Sequence, residues 1–305
     1  MQVRKRRMQS ALVSRNSRDI TYHSIDMESS YLPPSLATDE GCSQLPESNM
    51  RGDSIDRLTG LQNRAIVLSH LFALISMVMV ASWIGELGGL SWKEGASKQV
   101  FNWHSLMMVT SFCFMTVAAL SFRYRFGSRR GQKIVHGMSW SVAMICAIVA
   151  LVAVFKSHND SVSGLIANMY SLHSWIGMTL IIMFILQFLF GAYAFVLPGM
   201  SPKTKSTVLL LHKYIGPFLY NMMAFTMLLG IQEKEGFIGC SYTVDTPDLF
   251  PIQHFGKIPV ICRISHTLGI FLFFMALTTS FALHDFGKKA VQTNSAVSAS
   301  ESHVL

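Results

Sequence analysis

The chain is 305 residues long, half of them hydrophobic and only 14% charged, a balance outside that of ordinary soluble domains. Its net charge of +8 comes from Arg and Lys clustered beside apolar runs, which fits the flanks of membrane spans and excludes nucleic acid as the partner. Of five cysteines, Cys113 and Cys146 lie inside apolar runs, and only Cys240 and Cys262 share a loop where a disulfide could form; the sequence leaves that pairing open.

Residues 1–62 are polar, open on Arg4, Lys5, Arg6 and Arg7, and carry Pro33 and Pro34, so a disordered cytoplasmic tail is expected there. No apolar stretch follows the basic start, and no cleaved signal peptide is expected. Six apolar runs come next, near 64–90, 102–122, 134–155, 172–197, 208–231 and 264–284. Each is long enough to cross ~30 Å of hydrocarbon at ~1.5 Å per residue. The expected fold is all-α and polytopic: a six-helix transmembrane domain over 63–286, then a cytoplasmic tail over 287–305.

Basic residues orient these runs. Arg123, Arg125, Arg129, Arg130 and Lys133 stand between the second and third, Lys203 and Lys205 between the fourth and fifth, and Lys288 and Lys289 after the sixth. These segments are expected in the cytoplasm, with both termini.

The histidines follow the same alternation. His104 and His173 lie near the starts of runs two and four, which enter from the non-cytoplasmic side; His136 and His212 lie near the starts of runs three and five, which enter from the cytoplasm. The result is one same-level pair near each membrane face. Polar side chains at membrane depth are rare and usually functional, and two imidazoles from facing helices can fill both axial positions of a haem iron. With each pair ~5 Å inside its face, the two irons would stand roughly 20 Å apart. The competing reading is a bundle whose histidines hydrogen-bond between helices or carry protons, as in a transporter or receptor. Zinc would want more ligands at one level than the two available. His70 and His266 are read as structural.

The segments Phe101-Asn-Trp-His104, Lys133-Ile-Val-His136-Gly, Leu151-Val-Ala-Val-Phe155, Asn-Met-Tyr-Ser-Leu-His-Ser-Trp-Ile-Gly over 168–177, and Gln232-Glu-Lys234 resemble the eukaryotic cytochrome b561 family, ascorbate-dependent di-haem transmembrane oxidoreductases. The likeness is nearest to the animal branch that holds the chromaffin-granule and duodenal ferric-reductase types. It covers about 64–285 and leaves the tails out.

The resemblance implies a central four-helix bundle, helices two to five, holding two non-covalent b-type haems. His104 and His173 would ligate the non-cytoplasmic one, His136 and His212 the cytoplasmic one. Further haem contacts carry over to Asn168, Met169, Tyr170, Ser171 and Glu233. Arg129, Lys133 and Lys205 match the family's cytoplasmic ascorbate site, with Lys133 as the catalytic residue there. The family's Tyr-Arg pair after helix two is replaced by Phe122-Arg123-Tyr124-Arg125, so either Arg123 or Arg125 could contact haem, and Arg123 is preferred. Ser105 stands where many members carry Pro. On the opposite face His158, with Asn168 and Tyr170, is the candidate acceptor site for monodehydroascorbate or a ferric chelate.

The expected function is therefore one-electron transfer from cytoplasmic ascorbate to a non-cytoplasmic acceptor, in a homodimer set in membrane lipid, at the plasma membrane or in an endomembrane vesicle or lysosome. A quinol-linked cytochrome b is the enzymatic alternative. No dinucleotide fingerprint or flavin domain is visible.

Overall fold

Six helices account for nearly all of the described chain. In the computed structural model residues 47–124, 128–240 and 258–285 are described, with side chains from Asp56 onward. They form α1 (Glu47–Glu86), α2 (Ser97–Leu120), α3 (Arg129–His158), α4 (Leu172–Phe195), α5 (Pro202–Ile238) and α6 (Val260–Leu283), with no strand among the described residues. All six are long and apolar enough to cross a membrane, and the chain is an integral membrane protein. The tail expected over 1–62 lies outside the described residues as far as 46. From Glu47 the backbone is already helical, ahead of the apolar run, because hydrogen bonding propagates from a formed span into adjoining residues of ordinary propensity. The C-terminal tail, Arg125 and the basic pair Lys288 and Lys289 also lie outside the described residues.

Local chemistry sets the helix ends. Ser128, Ser171 and Ser201 each hold extended backbone and accept from the amide three residues on, Gly131, Ser174 and Thr204, which satisfies one of the orphan N–H groups of a helix start. Pro202 opens α5, where its missing N–H costs nothing, and Gly239 closes it at φ 74, a left-handed conformation that favours glycine. Pro217 interrupts the α5 ladder; in the turn before it, Gln187 of α4 donates to the His212 carbonyl at 3.1 Å.

Packing is uneven, and the unevenness positions the site. α2 lies along α3 over a stripe of small buried residues, Ala143, Ala147, Ala150 and Ala153, which lets the two backbones approach closely. Ser111 of α2 donates to the Ala143 carbonyl across this seam at 2.8 Å. α4 packs on α5, and α1 on α6, where Ser69 meets Thr278 at 2.9 Å. Between the α2–α3 pair and the α4–α5 pair the contacts are sparse. The two pairs face each other across a slot, and all four candidate ligands come from them, one per helix.

Halfway along the slot it is filled. Phe112 stacks on Tyr220 with ring centroids 4.7 Å apart and an 18° interplanar angle, and Tyr220 shares a 2.7 Å hydrogen bond with Thr116. Trp140 packs on Phe184 at 5.1 Å. Phe112, Tyr220 and Phe184 are at most 3% exposed, so this aromatic layer is a dry partition across the bundle. On the outside, Leu186, Leu189, Phe190, Leu210 and Leu211 are exposed, as lipid-facing residues of spans must be.

Cys240 and Cys262 form a disulfide that ties the end of α5 to the start of α6, closing the pairing the sequence left open. The histidines read as structural are paired. His70 holds the Ile66 carbonyl at 2.7 Å and the Tyr124 hydroxyl at 2.8 Å, and His266 lies 3.3 Å from Glu235.

Candidate functional site

Alternating crossings put the starts of α2 and α4 at one end of the bundle and those of α3 and α5 at the other. The ring geometry follows. His104 and His173 face each other with centroids 6.2 Å apart and planes at 90°; His136 and His212 do so at 6.0 Å and 64°. A ring nitrogen lies roughly 1 Å from its centroid and roughly 2 Å from a bound metal, so two imidazoles sharing one ion have centroids about 6 Å apart. Both pairs are too far apart to touch and separated by about the width of one metal ion.

Hydrogen bonds choose the nitrogen that faces the gap. The Nδ1–H of His104 donates to the Ala150 carbonyl at 3.1 Å, that of His173 to Thr226 at 3.0 Å, and that of His136 to Ala118 at 2.9 Å. In each case a neighbouring helix holds Nδ1 as the donor and leaves Nε2 with a free lone pair, the tautomer a metal needs. His212 makes no such bond among the described residues. Its ring lies against Gly191, where a β-carbon would stand 3.6 Å away, and Phe195 meets it edge-on at 6.0 Å. Gly230 does more for His173: a β-carbon there would come within 2.7 Å of the ring, so only glycine lets α5 pass this close.

The described residues contain no group of three or more His, Cys, Asp or Glu able to hold one ion, so neither level forms a tetrahedral closed site of the zinc type. Two facing imidazoles per level, with Nδ1 of His104, His173 and His136 held by carbonyls, suit a haem iron instead. A cavity of about 150 Å³ at the first level is lined by His104, His173, Asn168, Met169, Tyr170, Glu233 and His158, and so gathers most of the expected contacts in one place. Trp83 of α1 lines it as well, and its indole N–H has no partner among the described residues, which leaves a buried donor for a bound group.

At the mouth of this cavity Ser171 donates to Glu233 at 3.0 Å, and Asn168 to Asn159 at 3.0 Å. Met169 takes φ 56, a left-handed conformation unusual for a side-chain-bearing residue. Burial, with a hydrogen bond and the negative charge from Glu233, pushes the Tyr170 hydroxyl up to about 12, so it remains a neutral donor. His158, the last residue of α3, stacks on Phe101 at 6.3 Å and 12°. Lys234 was not assigned a role from sequence; its Nζ sits 4.4 Å from the Phe101 ring centroid, a cation–π contact beside the cavity. The only signal for it was its place next to Glu233 in the 232–234 segment.

The second level is more open. Arg129 and Lys133 are exposed in the first turns of α3, and Lys205 is half-buried in the first turn of α5. Lys133 is one turn before His136, on the same side of the helix. Arg123 is engaged elsewhere: its guanidinium donates to the Leu283 carbonyl and pairs with Asp285 at 2.9 Å, clamping α2 to the end of α6. Arg125, its alternative, lies outside the described residues.

Residues 103–238 match the family model for eukaryotic cytochrome b561, a family name that implies b-type haem. The chain is similar to plasma membrane ascorbate-dependent reductase CYBRD1 of Rattus norvegicus, 35% identical over 178 residues, 57% of this chain and 60% of that protein. It is similar to transmembrane ascorbate ferrireductase 1 of Arabidopsis thaliana, 32% identical over 56% of this chain and 71% of that protein. It is similar also to transmembrane ascorbate-dependent reductase CYB561 of Bos taurus, 33% identical over 60% of this chain and 72% of that protein. The matched stretch thus spans about three fifths of the CYBRD1 relative and more of the other two. With an all-helical fold, two facing histidine pairs and these likenesses together, the chain belongs to the eukaryotic cytochrome b561 family.

Proposed function

We propose that the protein transfers single electrons across a membrane, from ascorbate in the cytoplasm to monodehydroascorbate or a ferric chelate on the other side, with both termini cytoplasmic. His136 and His212 would hold one b-type haem and His104 and His173 a second, each supplying, when bound, a one-electron iron couple. The observation that carries this reading is the pair of 6.0 and 6.2 Å ring separations at opposite ends of one slot, with three of the four Nδ1 atoms committed to carbonyls.

The residues around these pairs divide the work. Arg129, Lys133 and Lys205 bring positive charge to the cytoplasmic end, where ascorbate is a monoanion; they bind it and lower the pKa of the hydroxyl that releases its proton as the electron leaves. Phe112 and Tyr220 keep water out of the slot between the levels. At the far end His158, Asn168, Tyr170 and Glu233 rim the acceptor site. The names of the relatives, ascorbate-dependent reductases and a ferrireductase, support the same donor and class of reaction.

Haem stoichiometry and optical spectroscopy test the reading. Purified protein should carry two b-type haems per chain and be reduced by ascorbate; one haem or none overturns it. Lys133→Ala should slow ascorbate reduction about tenfold, the value of one charged hydrogen bond, with both haems retained.

A further inference from the structure

The His104 end carries a second concavity that the redox reading leaves unused. It is a groove of about 680 Å³ between the last turns of α3 with the residues just after it, from Ile148 to Ser161, and Lys93 and Glu94 of the α1–α2 connection. Its deeper wall is apolar and faces outward, with Ile148 and Val152 49% and 52% exposed. Its upper rim is charged: Lys93 and Lys156, with Glu94 beside them. From Ile148 to His158 the helix rises about 15 Å, so the groove runs from hydrocarbon depth toward the water interface.

Two features mark it as built. The side chains of Lys93, Glu94 and Lys156 have no hydrogen bond or ion pair among the described residues. Asp160, by contrast, is saturated. It accepts from the Gly95 amide at 2.8 Å, the Val162 amide at 3.0 Å, the Ser163 hydroxyl at 3.0 Å and the Ser163 amide at 3.4 Å. Burial would raise its carboxyl, but these bonds hold it below the ordinary carboxylate range. The Gly95 bond also staples the loop bearing Lys93 and Glu94 to the end of α3. The loop that carries Lys93 and Glu94 is thereby held beside the apolar trough, with the buried Asp160 carboxylate already satisfied.

We propose that this groove binds one phosphoglyceride of the adjoining leaflet, its phosphate between the Lys93 and Lys156 ammonium groups and its upper acyl chain along Ile148 and Val152. Glu94 favours a head group with a primary ammonium, so phosphatidylethanolamine fits better than phosphatidylglycerol. Leu151 and Phe155 line this groove and the His104 cavity alike, so the lipid seals the outer side of their shared wall. The inference does not depend on electron transfer.

Native mass spectrometry of the delipidated full chain, titrated with phosphatidylethanolamine, tests it. One tightly held lipid per chain is expected. The Lys93→Ala/Lys156→Ala double variant should lose about tenfold in retention, and Lys93→Arg/Lys156→Arg should regain it, with helical content unchanged by circular dichroism. Millimolar inorganic phosphate should not displace the lipid; displacement would show a free-anion site and overturn the lipid assignment. Equal retention by the double-alanine variant would overturn the groove, and equal retention of phosphatidylglycerol would overturn the role of Glu94.

Discussion

At the His104 end both imidazoles are tied to carbonyls of the neighbouring helix, Ala150 and Thr226, and Gly230 lets α5 close onto the His173 ring. At the His136 end only His136 is tied, to Ala118; His212 rests beside Gly191 without an Nδ1 partner among the described residues. The rule is reciprocal within the tightly packed α2–α3 pair, where each helix's histidine borrows the other helix's carbonyl. In the α4–α5 pair it is followed only once. A ring held from both sides loses little freedom on binding and is pre-oriented, whereas a ring held by packing alone can adjust. The end proposed to face the acceptor is thus rigid, and the end proposed to face ascorbate has one adaptable ligand.

Substitutions can break this contrast at several strengths. The largest effect is expected from His104→Ala and His136→Ala, each of which should halve the haem content measured by extraction and leave the other level's absorbance in place. Next comes the glycine pair. Gly230→Ala puts a methyl group 2.7 Å from a ring that cannot turn without losing Thr226, and should cost most of the His104-level haem; Gly191→Ala makes an ordinary 3.6 Å contact and should leave both haems. Equal loss in the two variants would erase the difference drawn between the ends.

Removing the Cys240–Cys262 disulfide, which sits at the His104 end, should lower stability by about 3 kcal/mol, read as a lower melting temperature of the absorbance at that level. The smallest effect concerns pH. Because burial, with the bond to Glu233 and its charge, pushes the Tyr170 hydroxyl up to about 12 from its ordinary value of about 10, the stability tied to its neutral form is complete below pH 10 and is lost as pH rises through 12. Tyr170→Phe should therefore change the pH dependence of stability only above about pH 10, as followed by thermal melts.

Much of this plan was legible in the sequence, because spans and histidines are written in side chains. Run length and the alternation of Arg and Lys gave the helices and the two levels, and the shared loop singled out Cys240 and Cys262 as the one pair able to meet. What sets the contrast between the levels was not legible. The partners of His104, His173 and His136 are the backbone carbonyls of Ala150, Thr226 and Ala118, and no residue type marks a carbonyl as special. Gly230 matters only because α4 brings His173 against it, a distance that no local pattern carries. Arg123 illustrates the same limit: its charge suggested a haem contact, while the end of α6 supplies Leu283 and Asp285 as its partners.

The central claim is that both levels act in series across one membrane. The most direct measurement uses vesicles loaded with ascorbate, the protein reconstituted in their wall, and a ferric chelate outside. External ferric reduction that needs internal ascorbate, and that falls to background in His104→Ala and in His136→Ala alike, is the predicted result. Reduction that continues with either level removed, or its absence from vesicles whose protein carries both haems, would contradict the account.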